Sequence, residues 1–191
     1  LSGVWTPPES LPAIVRWPDG MAPARELHEM VHFTDWLPTL LHAAGTEPDG
    51  ERVIDGQDVL PVLQGEPGEV CTRRFWQWTR YRPHVNYNAA YRDGDWKLVR
   101  PAVPEAVTIT DRDREADRLA RYKPQEAPDM LDEPLPEPDL PPPPPPQLFH
   151  LARDPNESTD LADAEPDRLS RMMAELETWF YEVETERSTI G

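Results

Sequence analysis

Few side chains in this chain of 191 residues are of types that do chemistry. The single cysteine, Cys71, can form neither an internal disulfide nor a multi-cysteine metal site. His28 and His32 are four apart, the spacing of two metal ligands on one helix face, but Pro23 and the extended character of Glu29–Phe33 argue against a helix there. His42 falls on the polar side of a helical stretch, and His150 is expected to face outward from an apolar strand. His84 is different. It lies in Tyr81-Arg-Pro-His-Val-Asn-Tyr87, a loop between two aromatic strands that also carries Arg82, with Arg80 just before. A guanidinium grips an oxyanion through paired N–H donors, and binding groups concentrate on loops held by a scaffold. Arg82 and His84 are therefore the candidate substrate-binding residues, placed to reach an anionic group across a cleft. No residues stand out as catalytic or metal-binding.

The elements that must position this loop are readable. Leu11-Pro-Ala-Ile-Val-Arg-Trp-Pro18 has a compact apolar run bracketed by prolines, and predicts a short buried strand. Glu29–Phe33 predicts an extended segment leading into a helix. Thr34 or Asp35 can cap that helix, Leu37, Leu40, Leu41 and Ala44 give it one apolar face, and Gly45 would end it. After a loop over 46–58, Val59–Leu63 predicts an apolar helical turn stopped by Gly65. Arg74–Trp78, Asn88–Arg92 and Asp95–Arg100 predict an antiparallel meander with Asp93-Gly94 at a hairpin, and Leu148–Leu151 adds a strand. A helix over about 166–185 carries the stripe Leu169, Met172, Met173, Leu176, Trp179 or Phe180, and Val183, expected to cross the meander's apolar face.

Residues 101–146 interrupt this plan. A weak helix is expected at 112–122. The stretch 124–146 holds eleven prolines, six of them consecutive at Pro141–Pro146. Such a tract favours polyproline II, cannot join a sheet, and reads as a surface loop or spacer, with a ligand for a proline-recognising domain as the alternative. A net charge of −17 argues against nucleic acid as a partner, since phosphates would be repelled. No apolar run approaches the length of a membrane helix. The start lacks the basic and apolar regions of a signal peptide and has no initiator Met, so the chain is expected to be a piece of a longer protein. Asn156-Glu-Ser158 matches a glycosylation sequon.

Six segments, in order, resemble the C-terminal part of the sulfatase family. They are Leu11–Pro18, Asp35-Trp-Leu-Pro-Thr-Leu-Leu-His-Ala-Ala-Gly45, Asp55-Gly56 with Leu60-Pro61, Leu63 and Gly65, the aromatic strand Phe75-Trp-Gln-Trp78, Arg92-Asp-Gly-Asp-Trp-Lys-Leu98, and Leu148–Ala162 with its Asp154-Pro155 turn. The resemblance implies an α/β assembly, here an α+β fragment. Residues 1–65 would be the tail of a catalytic α/β domain, and 66–191 a smaller subdomain, an antiparallel sheet packed by the last helix, with the Pro-rich insertion at 101–146. It implies sulfuric ester hydrolysis in the intact protein, with a sulfated small molecule or glycan as substrate. Calcium on Asp and Asn oxygens, and a formylglycine made from Cys or Ser in Cys-x-Pro-x-Arg, would come from an upstream catalytic segment. Cys71 does not match that motif, because Arg73 stands where Pro is required and Phe75 where Arg is required. No adjacent Asp-Asp or Asp-Asn pair is present. The late catalytic lysine would fall near Leu1, whereas the first lysine is Lys97, and Thr6-Pro7-Pro8 replaces the usual Glu-Gly-Gly. The alternatives are a non-catalytic binding or assembly module, and part of a related phosphonate or phosphodiester hydrolase.

Overall fold

A computed structural model describes residues 13–23, 25–47, 50, 53–68, 70–126 and 137–189. The expectations for Leu1, Thr6–Pro8 and the prolines between 127 and 136 lie outside the described residues. The chain divides into two compact units, one of Ser10–Arg74 and one built on Phe75–Gly191.

In the first unit, helix α1 spans Trp36–Ala43 and α2 spans Leu60–Gln64. A 3-10 turn at Phe33–Asp35 leads into α1, with the His32 side chain accepting from the Thr34 N–H and the Asp35 carboxylate accepting from the His32 N–H at 2.7 Å. Asp35 is fully buried and also accepts from the Gln57 N–H at 2.8 Å and Arg74 Nη2 at 2.7 Å. Its carboxylate thus ties three segments together and does not cap α1, as the sequence had suggested it could. Thr39 faces inward too, accepting from the Val59 N–H at 3.0 Å and joining α1 to α2. Gly65 ends α2 at φ 94°, and a side chain there would meet the Arg25 guanidinium 2.1 Å away.

One expectation fails in this unit. Ala13–Trp17 form no strand, and Ile14 is 94% exposed. No strand among the described residues pairs with them, and the flanking prolines offer no N–H donor. The apolar face expected for α1 is present, with Leu41 half-buried and the rest open to solvent. With Asp35 and Thr39 turned inward by hydrogen bonds, Leu37 (56% exposed), Leu40 (62%) and Ala44 face solvent.

The second unit is a four-stranded antiparallel sheet in the order β1 (Arg73–Gln77), β2 (Ala89–Asp93), β3 (Trp96–Arg100), β4 (Gln147–His150). Asp93 pairs with Trp96, leaving a two-residue turn with Gly94 at φ 59° in its first central position, where glycine is favoured. Between β3 and β4 lie α3 (Pro104–Val107) and α4 (Asp111–Tyr122). The single helix expected at 112–122 starts one residue earlier, because Thr110 and Asp113 form a reciprocal capping box. Helix α5 (Pro166–Thr189) lies against β2 and β3. Met172 and Leu176 are fully buried among Ala89, Tyr91, Leu98 and Leu148, and each such burial stabilises by about 1.5–3 kcal/mol. An aromatic stack joins sheet to helix: Phe75 lies 4.3 Å from Tyr91 and 5.0 Å from Trp179, ring centroid to centroid. The buried stripe ends at Phe180, and Val183 is exposed. The turn after β4 is locked by Lys97, wholly buried on β3, whose ammonium donates to both carboxylate oxygens of Glu157 at 2.7 and 2.9 Å.

Candidate functional site

The connection from β1 to β2 holds both candidate residues. Its base is closed by the Trp78 N–H donating to the Asn88 carbonyl at 3.1 Å, and by the Asn88 side chain donating back to Trp78. Inside the loop the Thr79 hydroxyl donates to the Arg82 carbonyl at 2.8 Å, and the Gln77 amide reaches the His84 carbonyl at 3.4 Å. Arg100 of β3 donates to the Val85 carbonyl at 2.8 Å and to the Asn86 side chain at 2.6 Å, while its other nitrogen meets Glu177 of α5.

The insertion braces the same loop from outside. The Arg80 N–H donates to the Ala106 carbonyl of α3 at 2.7 Å, and the Tyr87 hydroxyl donates to the Pro141 carbonyl. Tyr87, Val103 and Ala106 form a second small core, with Leu140 packed on it. Within the insertion, α3, α4, Leu140 and Pro141 therefore lie against the loop's body. Asp113 of α4 is the chief anchor. It accepts from the Thr110 N–H at 2.7 Å and from the Tyr81 hydroxyl at 2.8 Å, and pairs with Arg80 at 3.1 Å. Burial works to raise its pKa, but hydrogen bonds from Thr110, Tyr81 and Arg80 outweigh this and hold the carboxyl well below the ordinary carboxylate range. Tyr81 sits at φ 64°, a costly conformation for a bulky residue, maintained by this grip on its side chain.

The result is a loop with its backbone fixed and two side chains outward. Arg82 and His84 are both exposed, and the His84 ring stands edge-on to Tyr87 at 5.2 Å. No acidic residue occurs between Glu69 and Asp93, in a chain with 36 of them. That gap was a usable signal in the sequence, as was the Thr110-x-x-Asp113 spacing; nothing in the sequence pointed to Tyr81, Asp113 and Arg100 as the loop's supports. A guanidinium and an imidazole are side chains of types that pair with anions.

The other candidates are dispersed. His28 is exposed and His32 buried, outside any α-helix. His42 bonds Asp58 at 2.6 Å on the surface. His150, expected to face outward, is half-buried with its ring against Trp96 at 4.7 Å. Asn156 is exposed, and the Ser158 hydroxyl donates to Asp154 at 2.9 Å. Cys71 is half-exposed, with Sγ 3.2 Å from the Arg73 carbonyl. With Arg73 and Phe75 beside it, this thiol does not fit a formylglycine precursor. Among the described residues, no group of three or more His, Cys, Asp or Glu is placed to hold a metal ion, so calcium does not fit them either. Nor is any helix among them long and apolar enough to cross a membrane.

An antiparallel sheet backed by one long helix, following a short helical unit, is the architecture of a sulfatase C-terminal portion. Sulfatase yidJ from Bacteroides fragilis superposes over 88% of this chain and 28% of its own, with TM-score 0.56 at 16% identity. A Bacteroides thetaiotaomicron protein from a locus for glycosaminoglycan metabolism covers 86% of this chain and 28% of its own, with TM-score 0.50 at 21% identity. Residues 4–132 match the family N-sulphoglucosamine sulphohydrolase, C-terminal, and the chain belongs to that family. Mouse steryl-sulfatase is 40% identical over 62 residues, 32% of this chain and 10% of that protein. Rat N-acetylgalactosamine-6-sulfatase is 44% identical over 55 residues, 28% of this chain and 10% of that protein. The matches thus span about a tenth of the length of these curated relatives.

Proposed function

We propose that this chain supplies the substrate-contacting C-terminal portion of a sulfuric ester hydrolase, and that the reacting groups belong to an upstream catalytic segment. The observation that carries the reading is the Arg82–His84 loop: two exposed cationic or polarisable side chains on a backbone fixed from the sheet, from α3 and from α4, in the one long acid-free stretch of an acidic chain. A sulfate ester offers the fixed oxyanion that a guanidinium and an imidazole recognise. The substrate is a sulfated small molecule or glycan, in keeping with the steryl and amino-sugar sulfatases among the relatives. Residues 1–65 then extend the catalytic α/β domain, and 66–191 form the subdomain that carries the loop. Ile14, Phe33, Leu37 and Leu40, all exposed, provide the apolar surface on which an upstream segment packs. In the intact enzyme, calcium and formylglycine would supply Lewis-acid support and the nucleophile. This chain's part is to bind and orient.

The test is steady-state kinetics of the intact protein on a sulfated glucosamine and on an aryl sulfate. Replacing Arg82 by Ala should raise KM about tenfold or more with kcat little changed, as expected for loss of a charge-assisted contact worth about 1.5–3 kcal/mol. His84→Ala should act in the same direction and less strongly. Unchanged KM in both variants would reject the loop as a substrate contact. The chain alone should release no sulfate above background.

A further inference from the structure

The run Pro141–Pro146 leads directly into β4. Consecutive prolines fix φ and adopt polyproline II, with three residues per turn. Exposure follows that period. Pro141 and Pro144 are half-buried, whereas Pro142, Pro143 and Pro145 are exposed, and Pro146 turns inward only as the strand begins. Both ends are fixed to the fold. At the front, Leu140 packs on the Tyr87–Val103–Ala106 cluster and Pro141 accepts from the Tyr87 hydroxyl; at the rear, β4 pairs with β3.

A groove that reads polyproline II takes two Xaa-Pro pairs separated by one residue that points away from it. Here Pro142-Pro143 is the fully exposed pair, Pro145-Pro146 is the second with its Pro146 half-buried at the start of β4, and Pro144 is the residue turned back toward the chain itself. Glu137 and Asp139, both exposed, stand immediately before the ridge. We propose that Pro142–Pro146 is a docking ridge for a partner protein domain with an aromatic-lined groove, bearing basic residues at the end that meets Glu137 and Asp139. Anchoring at both ends removes most of the ordering cost a free peptide pays on binding. This inference does not depend on the Arg82–His84 reading, because the ridge needs no sulfated ligand.

The probe is a WW domain with a basic groove end, selected beforehand for measurable binding to a synthetic peptide of residues 137–147. Calorimetric titration of the whole folded chain with that domain should give a Kd within about threefold of the peptide's, or tighter. The substitution Pro143→Ala, which removes the prolyl member of the exposed pair, should weaken binding more than about tenfold, while Pro144→Ala stays within about twofold. Neutralising the acidic flank with Glu137→Gln and Asp139→Asn should weaken binding and flatten its salt dependence. A whole chain that binds more than about tenfold worse than the peptide would show the ridge covered and overturn the proposal. So would equal losses from the Pro144 and Pro143 substitutions. The comparison of whole chain with peptide needs no variant to fold.

Discussion

In residues 75–191 the apolar stripe of α5 lies on a sheet, with Met172 and Leu176 out of water; in residues 10–74 the apolar stripe of α1 faces solvent while Asp35 and Thr39 take the inside. Both helices carry apolar residues at steps of three and four. The second unit has a facing sheet on which to place its stripe. The first buries Val59, Leu60, Val62 and Leu63 around α2, ties α1 in through a buried carboxylate and a hydroxyl, and keeps Phe33, Leu37 and Leu40 exposed. Hydrophobic spacing states that a face needs covering. It does not state that the same short stretch of chain provides the cover.

Four measurements would break or sharpen that contrast. The largest effect belongs to the closed core. Leu176→Ala should cost about 2–5 kcal/mol in denaturant unfolding, because the cavity opens in a packed cluster. A loss under about 0.5 kcal/mol would mean that α5 is not the keystone of its unit. Next, Asp113→Asn should cost about 1–3 kcal/mol and speed amide exchange across 79–88, since Tyr81, Thr110 and Arg80 lose a shared acceptor. Unchanged exchange there would remove α4 as a support of the loop.

The third effect is in pH, and it separates the units. Burial, and then the nearby Arg74 charge, lower the His32 pKa against the opposing pull of Asp35, so the folded unit keeps this ring neutral. The unfolded ring titrates near about 6.5, so His32's contribution is complete above that pH and is lost as pH falls through the window below it. Asp113, also depressed, contributes fully above about pH 4 and loses ground only as pH drops further. Exchange measured at about pH 5 should therefore rise in α1 and α2 before it rises in β2, β3 or α4. The reverse order would contradict the assignment. The smallest effect is Leu40→Asp, expected to change the stability of this chain by less than about 0.5 kcal/mol. A large loss would show that the α1 face is already buried.

What could be read from the sequence follows the same division. The β2–β3 hairpin, the last strand and the long helix were legible because local turn chemistry and period agree with the tertiary answer. The strand at 11–18 was misread, and the exposure of the α1 face went unread, because the pattern was right about apolarity and silent about partners. Arg82 and His84 were picked by residue type and loop position. Their supports were missed because Asp113 and Pro141 reach the loop from an insertion that composition alone marks as irregular. Thr34 or Asp35 was read as a local cap; the Asp35 carboxylate does accept from the nearby His32 N–H, but its other partners, Gln57 and Arg74, lie far along the chain.

Of the 19 basic side chains only Lys97 and Lys123 are primary amines, and Lys97 is enclosed with Glu157 while Lys123 is exposed. An acylating reagent should thus mark one lysine in the native chain and reach the second only when the turn after β4 swings open. A single mass increment becomes a clock for that opening.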